Sequence, residues 1–150
     1  MPDRMKINDR ITVAGQPDAS ELASLAEEGF RSVINLRVTN EQEDMLSPVD
    51  EGNEVRGHGM TYLHLPVSMK QIRPEQVDEF GNAVEALEAP IFVHCQSGKR
   101  SGAFVMMREA IAHGWSGEET LEKAEAMGFE CEQAELREFV KQYVDQHQQA

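Results

Sequence analysis

The sequence predicts an α/β fold. Short apolar runs of four or five residues alternate with segments of helical periodicity, and glycine or proline stands at most changes from one to the other. Leu22, Leu25 and Ala26 lie on one helical stripe that meets Gly29 and then the apolar run of residues 32–36. Helix, glycine, strand is the rhythm of a βαβ unit.

Taken in order, Ile11, Thr12, Val13 and Ala14 form a first strand closed by Gly15-Gln16-Pro17. Asp18 stands as an N-cap with Glu21 three residues on, the spacing of a capping box. The helix it opens ends at Gly29, and Ser32-Val33-Ile34-Asn35-Leu36 is the second strand. Residues 37–50 are polar, with Glu41, Glu43 and Asp44 close together, and read as a solvated loop. Pro48 opens a short helix through Val55 and Arg56, stopped by Gly57 or Gly59. Thr61-Tyr62-Leu63-His64-Leu65 is the third strand, ended by Pro66. His64 belongs in or beside the core, because no second ligand stands at zinc-like spacing. A loop from Ser68 to Arg73 leads to Pro74 in the first turn of the next helix, whose face is Val77, Phe80, Val84 and Leu87. Ala89-Pro90 breaks that helix before Ile91-Phe92-Val93, a buried strand that runs into His94-Cys95. From Ala103 a helix apolar over much of its circumference is expected at the centre of the molecule, capped by Gly114. Ser116 and Glu119 give a second capping box, for a helix bearing Leu121 and Ala124. A last helix, about 133–147, carries Leu136, Phe139, Val140 and Tyr143. Met106, Met107 and Met127 read as core fillers and Cys131 as incidental. No repeat, linker or shift of composition divides the chain, so residues 1–150 are expected to form a single domain.

The chemistry is concentrated in His94-Cys95-Gln96-Ser97-Gly98-Lys99-Arg100-Ser101. An isolated buried cysteine is ordinarily an inert small hydrophobe. A cysteine at a strand-to-helix turn is different, since the amides of a helix N-terminus favour its thiolate. The same amides, together with the Arg100 guanidinium, would cradle a tetrahedral oxyanion. The stretch therefore reads as a nucleophile inside an anion-binding nest.

Composition limits the partners. The 150 residues carry a formal net charge of −13. Such a chain lacks the basic surface that nucleic acid or an anionic membrane would want. An anionic substrate would then need local cations, for which Lys99, Arg100, Lys70, Arg73 and Arg37 are the candidates. Two cysteines make no disulfide framework and suit a reducing cytosol, and neither a signal-peptide h-region nor a membrane-length apolar run occurs in the sequence. A cytoplasmic location is the expectation. No metal-ligand constellation or dinucleotide fingerprint appears, so neither a metal nor another cofactor is expected.

His94-Cys95-x-x-Gly98-x-Arg100-Ser101 resembles the signature loop of the cysteine-dependent protein tyrosine and dual-specificity phosphatases. Gly15-Gln16-Pro17, the run from Leu25 through Gly29 to Arg37, and Tyr62-Leu63-His64-Leu65-Pro66-Val67 are similar to the bacterial phosphatase-like domain of beta-lactamase-hydrolase-like proteins, over about residues 11–110. The resemblance implies a central, mostly parallel sheet of four or five strands flanked by helices. It also implies roles: Cys95 as nucleophile, Arg100 as clamp on the oxyanion, and the amides of Gln96, Ser97, Gly98, Lys99 and Arg100 as the nest. His94 would orient the loop and help keep Cys95 ionised, and Ser101 would hydrogen-bond the sulfur as it leaves.

Two features depart from the phosphatase pattern. The family signature has five residues between cysteine and arginine, and here four intervene. The loop after the third strand, where these phosphatases carry an aspartate as general acid, reads Val67-Ser68-Met69-Lys70-Gln71-Ile72-Arg73 and holds no carboxylate. Glu41, Glu43, Asp44 and His64 are the groups that could stand in. Cys-x-x-Gly-x-Arg is also the loop length of many single-domain rhodaneses. The expected function is therefore a phosphatase acting on phosphomonoesters. The alternatives are a sulfurtransferase that carries a Cys95 persulfide made from thiosulfate or another persulfide, and a non-catalytic anion-binding module.

Overall fold

The computed structural model describes residues 4–38, 47–68, 72–95, 99–126 and 134–148, with residues 99, 100, 134, 135 and 148 described by backbone alone. Five strands form one sheet: β1 (Arg4–Lys6), β2 (Ile11–Ala14), β3 (Ser32–Asn35), β4 (Thr61–His64) and β5 (Ile91–His94). Their order is β1-β2-β5-β3-β4, with β1 antiparallel at the edge and the other four parallel. The central strand β5 lies between β2 and β3, so the chain leaves it at the point where the direction of winding reverses. In open α/β sheets that position, at the carboxyl ends of the strands, is where ligands bind.

Six helices connect and cover the strands: α1 (Ala19–Glu28), α2 (Pro48–Gly57), α3 (Pro74–Ala86), α4 (Lys99–His113), α5 (Gly117–Ala126) and α6 (Ala134–Gln148). The connections through α1 and α2 step in one direction along the sheet, and α3 carries the chain back. Right-handed crossovers then require the two sets to cover opposite faces. The core divides accordingly. Leu22, Leu25, Val55 and Met60 meet Ala14, Val33 and Phe92 on one face. On the other, Val77, Phe80, Phe104, Met106, Met107, Leu136 and Val140 meet Ile11, Val13, Ile34, Ile91 and Val93. Successive side chains of β5 point to opposite faces. Phe92 accordingly joins the first cluster, while Ile91, Val93 and Cys95 join the second.

Local chemistry sets the helix ends. The Asp18 carboxylate accepts from the Glu21 amide at 2.8 Å, and Gly29, at φ 102°, closes α1 in the left-handed conformation that a glycine adopts without strain. Ser47 caps α2 on the Asp50 amide with Pro48 in the first turn. The Ser116 hydroxyl accepts from the Glu119 amide at 3.1 Å, and the Glu119 carboxylate accepts in return from the Ser116 amide, the expected capping box.

Three boundaries differ from the sequence expectation. β1 was not expected: Arg-Met-Lys has no alternating apolar pattern, and its place comes from pairing with β2 and from Arg4, which reaches Glu21 at 3.1 Å and Glu28 at 2.7 Å. β3 and β4 end one residue early as strands, although the Leu36 amide still donates to His94 and the Leu65 amide to Asn35. α4 starts at Lys99 rather than Ala103, because Lys99, Arg100, Ser101 and Gly102 offer no apolar periodicity by which a first turn could be read. As expected, α4 is central: every residue from Ser101 to Met107 is buried.

Candidate active site

The last residues of the parallel strands lie side by side. Ala14, His94, Asn35 and His64 are successive partners in register across β2, β5, β3 and β4. Cys95 follows β5 directly and is completely buried, and its amide donates to the Ala14 carbonyl at 3.4 Å. Its sulfur lies 3.6 Å from the Ser101 hydroxyl, on the first turn of α4. That hydroxyl also reaches the Ala14 carbonyl oxygen, at 3.3 Å. The contact brings the cysteine against the amino end of a fifteen-residue helix, where the helix dipole favours a negative charge.

The side chain of His94 points to the other face of the sheet and is also completely buried. Its Nε2 lies 2.6 Å from Oε2 of Glu51, on α2, and its Nδ1 lies 3.4 Å from the Cys95 carbonyl oxygen. Glu51 has no exposed surface either. Its Oε1 accepts from Nε2 of Gln16 at 2.7 Å, while Oε1 of Gln16 accepts from Nη1 of Arg37 at 2.5 Å. The Tyr62 hydroxyl accepts from Nδ2 of Asn35 at 3.0 Å. Burial first, and then the Glu51 charge, push the Tyr62 phenol above its ordinary value. A network of this kind is held because each buried polar group would otherwise be costly to leave without a partner.

The residues singled out in the sequence fare differently. Cys95, His94 and Ser101 come together. The backbone of Lys99 and Arg100 opens α4 beside them, while Gln96, Ser97 and Gly98 lie outside the described residues, as do Lys70, Glu41, Glu43, Asp44, Met127 and Cys131. Arg37, counted among the cations open to an anionic substrate, is instead completely buried and held by Gln16. Its backbone amide donates to Asn35 and its carbonyl accepts from His64. His64 sits half-buried with Nε2 2.5 Å from that carbonyl oxygen, beside the core as expected. Among the described residues no group of three or more His, Cys, Asp or Glu side chains could hold a metal ion.

Glu51 was missed in the sequence. The signal was there: Pro48, Glu51, Gly52 and Val55 follow one another at helical spacing, and all four are buried. A carboxylate in the middle of an inward stripe requires a buried partner. Gln16 stood out only as part of a turn, whereas its amide joins Glu51 to Arg37.

A family model described as "Beta-lactamase hydrolase-like protein, phosphatase-like domain" matches residues 3–112. The beta-lactamase hydrolase-like protein of Agrobacterium fabrum is 33% identical over 107 residues, which are 71% of this chain and 25% of that protein. Its counterpart from Xylella fastidiosa is 30% identical over 128 residues, 85% of this chain and 30% of that protein. The chain thus matches no more than 30% of the length of either relative. Among solved structures, P. aeruginosa TpbA superposes with a TM-score of 0.77 at 20% identity, covering 97% of this chain and 88% of TpbA. PTPMT1 superposes with a TM-score of 0.78 at 21% identity, covering 97% and 96%. A cysteine-to-serine form of TpbA has been solved in complex with phosphotyrosine. Similarity at these identities establishes a fold shared with protein tyrosine and dual-specificity phosphatases.

Proposed function

Because the chain belongs to the phosphatase-like domain family of beta-lactamase hydrolase-like proteins, we propose that it hydrolyses phosphate monoesters through a phosphocysteine on Cys95. The observation that carries this reading is the Ser101 hydroxyl 3.6 Å from the Cys95 sulfur, on a helix whose first turn abuts the cysteine. In the first step the Cys95 thiolate attacks phosphorus and the bond to the leaving oxygen breaks. Arg100 and the amides of Gln96, Ser97, Gly98 and Lys99 carry the charge of the equatorial oxygens. In the second step water attacks phosphorus, the sulfur–phosphorus bond breaks, and the Ser101 hydroxyl donates to the departing sulfur. His94, one residue before the nucleophile, orients the strand end that carries it.

The leaving group follows from what residues 67–73 lack. With no carboxylate in that loop to protonate the leaving oxygen, a poor leaving group forfeits a factor of about 10²–10⁴. Aryl phosphates, whose oxygen departs as a stabilised phenolate, are therefore the substrate class, and the phosphotyrosine bound by the TpbA variant belongs to it. An alkyl phosphate should be turned over at least roughly 100-fold more slowly in kcat/KM.

A second reading rests on the four residues between Cys95 and Arg100, one fewer than in the phosphatase signature. A shorter loop suits transfer of sulfur from thiosulfate to the cysteine and then to cyanide or a thiol, since sulfite needs no proton to leave. Steady-state assays separate the two. The chain and its Cys95→Ser variant are given an aryl phosphate and, in parallel, thiosulfate with cyanide. Phosphate release that disappears in the variant is the expected result. Thiocyanate without phosphate would overturn it, and inactivity toward both would leave only binding of an oxyanion.

A further inference from the structure

The buried carboxylate of Glu51 has no part in the steps above, yet it lies 2.6 Å from His94, a residue of the site. His94 stands between two acceptors, the Glu51 carboxylate at 2.6 Å and the Cys95 carbonyl at 3.4 Å. An imidazole so placed can satisfy both only by donating from both ring nitrogens. Glu51 in turn has a donor on each oxygen, His94 on Oε2 and Gln16 on Oε1. Gln16 is itself fixed at both ends of its amide, since Nε2 also donates to the Pro17 carbonyl at 2.9 Å and Oε1 accepts from Arg37. Three segments thus converge on one carboxylate: the turn after β2 through Gln16, the end of β3 through Arg37 behind it, and β5 through His94. Arg56 on α2 lies 5.8 Å from the Tyr62 ring centroid, and Glu21 of α1 is held by Arg4 at 3.1 Å.

We propose that Glu51 is the positioning residue of this site, holding a proton on Nε2 of His94 and so keeping the imidazole turned toward the Cys95 carbonyl. The carboxylate faces Nε2, and the opposite ring nitrogen, Nδ1, is the one that faces the Cys95 carbonyl. Withdrawing the carboxylate frees the ring to turn from the Cys95 carbonyl, and the strand end that sets the sulfur against the amino end of α4 loses its brace. Glu51→Gln is the informative change, because its amide oxygen still accepts from Nε2 while the charge is gone. The proposal rests on Cys95 being the nucleophile, and the test keeps that premise apart.

The thiolate is followed by its ultraviolet absorbance across pH, as the difference between each protein and its Cys95→Ser counterpart. In parallel, the His94 ring nitrogens are followed by 15N NMR in the unchanged chain. The expected results are a thiolate at neutral pH in the parent, a thiolate signal near neutral pH lower by roughly threefold in Glu51→Gln, and a His94 Nε2 that stays protonated through neutral pH. Gln16→Leu, which leaves the pair but removes one donor from Glu51, should give a smaller change in the same direction. Superimposable curves for parent and Glu51→Gln would overturn the role of Glu51 while leaving the nucleophile intact. A parent with no thiolate near neutral pH would instead count against the nucleophile. An unprotonated Nε2 in the unchanged chain would overturn the proposal whether or not either variant folds.

Discussion

At the scale of single residues, two contacts made by neighbours in sequence divide the work between the faces of the sheet. Cys95 points toward α4 and meets Ser101, whereas His94 points toward α2 and meets Glu51. Alternation along a strand produces this division from one dipeptide. In the proposed mechanism the Ser101 contact bears on the second chemical step more than the first, since the sulfur would carry leaving-group charge only when the intermediate breaks down. A hydrogen bond to a charged group contributes about 1.5–3 kcal/mol. Ser101→Ala should therefore slow dephosphorylation of the cysteine by roughly 10- to 100-fold while leaving its phosphorylation nearly unchanged. Pre-steady-state kinetics with an aryl phosphate would show this as a greater accumulation of the covalent intermediate than in the parent, and an equal loss in both steps would refute it. The His94–Glu51 contact bears on stability as well. Removing one member of a fully buried hydrogen-bonded pair leaves the other's polar group without its partner, at a cost of about 1–3 kcal/mol. This is why conservative replacements are the ones to read for function.

At the scale of elements, α2 has to lie close to β4 for Glu51 to reach His94. Gly52 permits that approach: a Cβ at this position would come within 2.9 Å of both the Tyr62 ring and the Arg56 guanidinium. Gly52→Ala should push α2 away from β4 and destabilise the fold by about 1–3 kcal/mol, the usual cost of overpacking. Because Glu51 is the adjacent residue, turnover should fall more than the fraction of folded protein does. Chemical denaturation and turnover measured on the same preparation check both parts, and an unchanged denaturation midpoint would contradict the first. Elements also explain what the sequence could and could not reveal. Strands β2 and β5 and helices α1, α2 and α5 were legible because their signals are local: apolar runs, capping residues, a proline in a first turn. Strand β1 and the first turn of α4 were not, since Arg4 to Lys6 and Lys99 to Gly102 acquire their structure from what they pack against. The burial of Arg37 and the His94–Glu51 pair lay beyond sequence for the same reason, because 43 residues separate the two partners of the pair.

At the scale of the whole molecule, the polar network and the apolar clusters respond differently to pH. The Tyr62 phenol is pushed up from its ordinary 10.0, first by burial and then by Glu51. Burial, followed by the hydrogen bond to Asp78, pushes up the Tyr143 phenol, which donates to Asp78 at 2.6 Å. The folded chain therefore holds these two protons more tightly than the unfolded chain does. The stability that depends on them is fully present below about pH 10 and is lost as the pH rises above it. Melting temperatures should thus fall steeply in that alkaline range. Tyr62→Phe and Tyr143→Phe should each flatten the decline, and a decline unchanged in both would contradict this origin.

The molecule as a whole reads as a sheet whose central strand delivers a cysteine to the amino end of its most buried helix, with a locked polar network behind it. What that cysteine receives is tested most directly by trapping. The chain would be mixed with an aryl phosphate, quenched rapidly in acid, and the peptide containing Cys95 weighed, alongside a second sample mixed with thiosulfate. A phosphoryl group added to Cys95 in the first sample, and nothing added in the second, is the expected result. A single sulfur added from thiosulfate, with no phosphoryl group from the ester, would contradict the proposed chemistry.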